Sequence, residues 1–277
     1  MSDSRQPRIY LLPNLMTAGN LFCGFTATLR IFEATMNTET AVQHYHQAIL
    51  FILGAFVFDM LDGRLARLGG QESPFGREFD SLADIVSFGI APALLVYKIV
   101  LYDFHRTGWL IAVFYLLCGA MRLARFNCIA EQSPENSTKD FEGFPIPAAA
   151  GLIASLTMLL LWLQENERHI GQWKYVLPVL MVFLALMMFS HVKYPSFKGL
   201  NWQTQRSIPR FLVTILILLV SAMCYEWMPA VIFVLFLVYG FVRPFISMAW
   251  RRGIEEEMGE EFSDDETEEA KVEDPRR

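Results

Sequence analysis

Residues 48–67 read Ala48-Ile-Leu-Phe-Ile-Leu-Gly-Ala-Phe-Val-Phe58-Asp59-Met-Leu-Asp62-Gly63-Arg64-Leu-Ala66-Arg67. An unbroken run without a polar side chain leads straight into two aspartates, with no turn signal between. Widened to 44–66, the window reaches the roughly 20 residues that a helix needs to cross a bilayer. Asp59 then sits about two turns inside the end of a span, roughly 10 Å at 1.5 Å per residue. An ionised Asp in that region costs on the order of 2–3 kcal/mol even on the lenient insertion scale. No apolar neighbour offsets that cost, so a cation or a polar cavity must.

Outward from this stretch, seven further segments have the length and apolarity of a span: 12–32, 79–102, 107–129, 145–164, 173–191, 209–226 and 228–249. The first is interrupted by Asn14, Thr17, Asn20 and two glycines, and reads as a span rather than a cleaved signal. The composition agrees. Of 277 residues, 53% are hydrophobic and only 19% charged, against about 25% charged in a soluble domain. That argues against a disordered chain, a coiled coil, a disulfide scaffold and a nucleic-acid binder. The expected fold class is an all-α polytopic membrane protein with about eight transmembrane helices. No internal repeat of the transporter kind is visible.

Charge divides the chain in two. Residues 254–277 hold twelve acids against three bases, while the remainder holds 20 bases against 17 acids. A block of like charge reads as a solvated tail, so we expect a membrane domain over 1–253 and an acidic, disordered cytoplasmic tail over 254–277. With the N-terminus inside, fifteen Lys and Arg fall on the inner side and five on or near the outer side. This bias predicts both termini on the cytoplasmic side. Cys23, Cys118, Cys128 and Cys224 form no metal-type pair and read as small apolar residues.

The carboxylates carry the chemistry. Asp59 and Asp62 are i,i+3 on one helix, and Asp80 and Asp84 are i,i+4 on the next, so each pair shares a face. The two helices run antiparallel and meet at one membrane edge, where the pairs can converge. Four hard oxygen donors without His or Cys suit Mg²⁺ or Mn²⁺. Gly63 and Gly76 leave room for a nucleotide to approach the backbone. Arg67 offers a fork for phosphate. The bland alternative is that the acids pair with Arg64, Arg67 and Arg77 at the membrane edge.

In order, these residues spell D-x2-D-G-x2-A-R-x8-G-x3-D-x3-D from Asp59 to Asp84, which resembles the signature of the CDP-alcohol phosphotransferase family. Residues 13–24, Phe141–Gly151 and Ser190–Lys198 resemble stretches of its serine-using branch, the phosphatidylserine synthases. Eight spans fit that branch better than the six typical of the wider family. The resemblance implies a membrane-embedded homodimer, with membrane lipid around it and an active site open to the cytoplasm of the cell (inner) membrane. It implies transfer of a phosphatidyl group from CDP-diacylglycerol to L-serine, with release of CMP. By resemblance Asp59, Asp62 and Asp80 are the core metal ligands, and Asp84 is the general base and a further metal ligand. Asn14, Thr17, Gly63, Ala66, Arg67, Ser73 and Gly76 are placed around the CDP donor in the same way.

The motif offers nothing for the carboxylate of a serine acceptor. Arg122 and Arg125, i,i+3 neighbours at the inner end of the fourth span, are the candidates. Tyr194 and Lys198 join them from the segment after the sixth. Asn127 reads as a helix-end amide. Two rival readings remain open: the same chemistry with inositol, inositol phosphate or glycerol 3-phosphate as acceptor, and a cation transporter with an intramembrane Asp cluster. The transporter leaves Gly63, Arg67 and Gly76 unexplained.

Overall fold

The computed structural model describes residues 11–68, 73–132, 141–165, 175–190, 193–194 and 227–242. They form helices α1 (Leu11–Met36), α2 (Ala41–Leu68), α3 (Pro74–Asp84), α4 (Ala91–Ile99), α5 (His105–Gln132), α6 (Ile146–Glu165), α7 (Val176–Phe189) and α8 (Met228–Val242). A π-helical turn, Ile85–Ile90, joins α3 to α4. Two short strands, β1 (Phe141–Glu142) and β2 (Lys193–Tyr194), pair antiparallel with Phe141 opposite Tyr194.

Among the described residues, four stretches are long and apolar enough to cross a membrane: Ala41–Gly63, Pro74–Ile99, Leu101–Ile129 and Ile146–Glu165. Val176–Phe189 and Met228–Tyr239 are shorter apolar helices. The segment 209–226 lies outside the described residues. Helix α1 has the length of a span, but its polar residues keep it off that list, and the structure shows why they are there. It buries Thr17, Asn20, Cys23, Gly24 and Ala27 and turns Leu15, Phe22, Phe25, Leu29 and Phe32 outward. Small and polar residues inside with large apolar ones outside is how helices associate in lipid, where apolar surface is solvated and close backbone approach is not.

The third span begins at Pro74, five residues before the expected 79. Ser73 caps it, its Oγ accepting from the Gly76 N–H at 3.0 Å. Proline at the first helical position adds a preset φ where no N–H partner is needed. Further along, Pro92 has no N–H for the carbonyl of Phe88 four residues earlier. There the helix widens: the Ala91 N–H reaches back to Val86. The Phe88 carbonyl instead accepts from the Tyr115 hydroxyl of α5 at 3.0 Å. Both residues are fully buried, so this bond ties α5 to the span that carries Asp80 and Asp84.

Helix α6 is the most enclosed of the four long apolar helices. Gly151 lets the ring of Phe233 on α8 lie against it, where a Cβ would collide. The β1–β2 ladder brings together two of the three flanking stretches singled out in the sequence. At its edge Gly143 adopts φ +82° with the Met188 carbonyl 2.5 Å from where a Cβ would be.

Candidate active site

Helix α2 presents Asp59 and Asp62 from one face, and α3 presents Asp80 and Asp84. Carboxylate oxygens of Asp59, Asp62 and Asp80 all lie within 4.8 Å of one another. Asp84 stands beside this trio, within side-chain hydrogen-bond reach of Asp59, as Asp80 is of Asp62. Each carboxylate of α2 thus meets one of α3. Like charges this close in a poorly polarisable interior repel strongly, and a divalent cation would convert that repulsion into attraction. The donor set fits one: all ligands are hard oxygens, and Asp80 Oδ1 is buried without a hydrogen-bond partner among the described residues.

Helix α1 lies against both carriers of the carboxylates and contacts each with a different side chain. Thr17 Oγ1 is 3.0 Å from Asp62 Oδ2 and 3.2 Å from the Pro13 carbonyl. One turn on, Asn20 Nδ2 donates to Asp84 Oδ1 at 3.0 Å. The Asn20 carbonyl accepts from Ser87 Oγ at 2.9 Å. At Gly24 the backbone of Ser87 comes so close that any Cβ would collide with it. The helices approach here because the glycine lets them.

Of the residues expected around the CDP donor, Asn14, Ser73 and Gly76 converge. A Cβ on Gly76 would lie 3.2 Å from Ser73 Oγ and 3.3 Å from Asn14 Oδ1. Asn14 Nδ2 is buried with no partner among the described residues. Thr17 faces Asp62 rather than this cradle. Gly63 lies one residue past Asp62 in α2. Ala66 and Arg67 continue that helix, and their side chains lie outside the described residues.

The proposed acceptor residues separate. Arg122 of α5 lies within electrostatic reach of Asp84 and of Arg125, and its Nε is buried without a partner among the described residues. The Tyr194 backbone pairs with Phe141, its side chain lying outside the described residues, and Lys198 lies outside them altogether. Two residues gain a place that the sequence reading did not give them. Asn20 was only an interruption of an apolar run. Asn127 donates to Ser81 Oγ at 3.0 Å and lies 3.3 Å from Glu78 Oε1, so it docks α5 onto α3. The spacing Asn14-x2-Thr17-x2-Asn20-x3-Gly24 was the available signal for Asn20, since it sets one polar stripe along α1.

Residues 10–192 match the CDP-alcohol phosphatidyltransferase family. The chain belongs to that family. A CDP-diacylglycerol–serine O-phosphatidyltransferase of Helicobacter pylori is 37% identical over 237 residues, 85% of this chain and 91% of the relative. An enzyme of the same name from Bacillus subtilis is 32% identical over 191 residues, 68% of this chain and 91% of its own length. An archaetidylserine synthase of Methanothermobacter thermautotrophicus is 31% identical over 206 residues, 74% of this chain and 78% of the relative. As a CDP-alcohol phosphatidyltransferase the chain is a membrane transferase, and the Asp cluster is where a divalent metal fits.

Proposed function

We propose that this chain transfers the phosphatidyl group of CDP-diacylglycerol to the hydroxyl of L-serine, giving phosphatidylserine and CMP. The observation that carries the reading is the convergence of three carboxylates within 4.8 Å, with the fourth held beside them. The serine acceptor is supported by the names of the relatives, which share serine while the lipid differs between phosphatidyl and archaetidyl.

Asp59, Asp62 and Asp80 would hold Mg²⁺ or Mn²⁺. The bound metal supplies charge neutralisation for the pyrophosphate and for the leaving CMP oxygen. The chain's own groups do the rest. The cradle of Asn14, Ser73 and Gly76 faces the nucleotide, with Gly63, Ala66 and Arg67 on its α2 side. Asp84 takes the proton of the serine hydroxyl, because an unassisted alcohol is a poor nucleophile at neutral pH. The oxygen then attacks the phosphorus that bears the diacylglycerol, and the bond to CMP breaks. Arg122 and Arg125, together with Tyr194 and Lys198, bind the serine carboxylate.

The same reading has eight spans, a homodimer in the cell (inner) membrane and both termini in the cytoplasm, with residues 254–277 as a tail outside the membrane domain. Its test is purified protein in vesicles with CDP-diacylglycerol and Mg²⁺ or Mn²⁺. Serine, inositol, inositol phosphate and glycerol 3-phosphate are offered in turn. Serine should give the fastest CMP release and phosphatidylserine as product. CMP release with another alcohol and none with serine changes the acceptor, and none with any alcohol removes the enzyme reading.

A further inference from the structure

We infer that Asn20 is a positioning residue for proton transfer: its amide occupies one oxygen of Asp84 so that the acceptor's proton is delivered to the other. The inference rests on Asp84 acting as the base.

Asn20 is completely buried. Its Nδ2 donates to Asp84 Oδ1 at 3.0 Å. Its Oδ1 is buried with no partner among the described residues. A buried amide with an unmet acceptor destabilises a fold, and a leucine of similar size would avoid that penalty. The only side-chain bond Asn20 makes among the described residues is the one to Asp84. The reversed amide would aim its oxygen at the carboxylate, so the orientation is chemically determined. The backbone holds the residue in place as well: Ser87, from the turn just past Asp84, donates to the Asn20 carbonyl at 2.9 Å, and Gly24 lets α1 seat closely there.

The consequence concerns individual atoms. An amide N–H₂ donates and cannot accept, so Oδ1 of Asp84 cannot present a hydroxyl toward it. That bond engages one lone pair of Oδ1 and fixes how the carboxylate is turned, which leaves Oδ2 the freer oxygen to take the proton leaving the acceptor's O–H. The electron pair of that O–H bond stays on the acceptor oxygen and forms the new P–O bond, while the bond to CMP breaks and CMP departs with its pair. Thr17 treats Asp62 differently: its hydroxyl can turn toward Pro13 instead, so it does not dictate a protonation site.

The test compares Asn20→Leu, Asn20→Asp, Asp84→Asn and the double variant Asn20→Leu/Asp84→Asn. For each, kcat, the KM of serine, direct binding of the CDP-linked donor and thermal stability are measured. Asn20→Leu should lower kcat about 10- to 100-fold while donor binding stays within about twofold and the melting temperature does not fall. Asn20→Asp, though isosteric, should lose at least as much, because it replaces the donor by an acceptor. Within the Asp84→Asn background, Asn20→Leu should remove nothing more, as expected of residues acting as one unit. Wild-type kcat in Asn20→Leu, or a kcat loss matched by equal loss of donor binding, overturns the positioning role. An active Asp84→Asn variant instead removes the base assignment itself, so the two failures read differently.

Discussion

At the scale of single residues, the site is a problem in charge. Asp59, Asp62 and Asp80 bring carboxylate oxygens within 4.8 Å of one another, and a divalent cation would turn their mutual repulsion into attraction. Each Asp→Asn change removes one anionic ligand and keeps the shape. We therefore predict that Asp59→Asn, Asp62→Asn and Asp80→Asn each abolish CMP release at low Mg²⁺ or Mn²⁺, without lowering thermal stability in metal-free buffer. Near-wild-type turnover in any of them at low metal would exclude that carboxylate as a ligand. Arg122 supplies a second prediction. Its Nε is buried and it lies within electrostatic reach of the proposed base, and an acceptor carboxylate entering a partly dehydrated site needs such a partner. Arg122→Gln should raise the serine KM at least tenfold and leave the donor KM within about twofold. An unchanged serine KM moves the carboxylate pocket elsewhere. The four aspartates were legible in the sequence because two pairs at helical spacing around Gly63 and Gly76 are more than salt bridges with the neighbouring arginines would explain. Asn20 was not, because a lone amide in a helix has several, and only its 3.0 Å bond to Asp84 selects among them.

At the scale of elements, hydropathy located most of the helices to within a few residues and said little about how they touch. The apolar run that identifies a span in sequence is the part that faces lipid or fills the core, whereas helix contacts here are set by exceptions to it: Gly24 under Ser87, Gly151 under Phe233 and the turn around Pro92. A proline inside a span disturbs the helix, but it does not name the partner of the carbonyl it leaves open. Tyr115 lies 27 residues from Phe88, and nothing local announces that its hydroxyl fills the bond the proline left open. This arrangement gives a third prediction. Tyr115→Phe strands a buried carbonyl and should destabilise the protein by about 1–2 kcal/mol, read by thermal unfolding in detergent. Pro92→Ala restores an N–H four residues after Phe88, so it should cancel part of that loss in the double variant. A Tyr115→Phe protein that melts with the wild type would show that the carbonyl finds another donor.

At the scale of the whole molecule, the chain combines a weakly basic, apolar body with a strongly acidic end. Every residue proposed for the site lies between Asn14 and Lys198, and the family match spans residues 10–192. Residues 255–277 contain none of it, yet they hold the twelve acids that reverse the sign of the net charge. A segment so anionic is repelled by an anionic lipid surface rather than drawn onto it, and it would not gather an anionic CDP-linked donor to the site. Were it to act on the reaction, it would do so by competing for divalent cations, which is a concentration effect and not a structural one. Deleting residues 255–277 should therefore leave kcat and both KM values within about twofold at saturating Mg²⁺ or Mn²⁺, with at most a small decrease in the metal concentration needed for half-activity. The measurement is CMP release from vesicles that hold equal amounts of inserted full-length and truncated protein. A truncated protein that inserts normally and loses most of its turnover at saturating metal would assign the tail a part in catalysis or assembly.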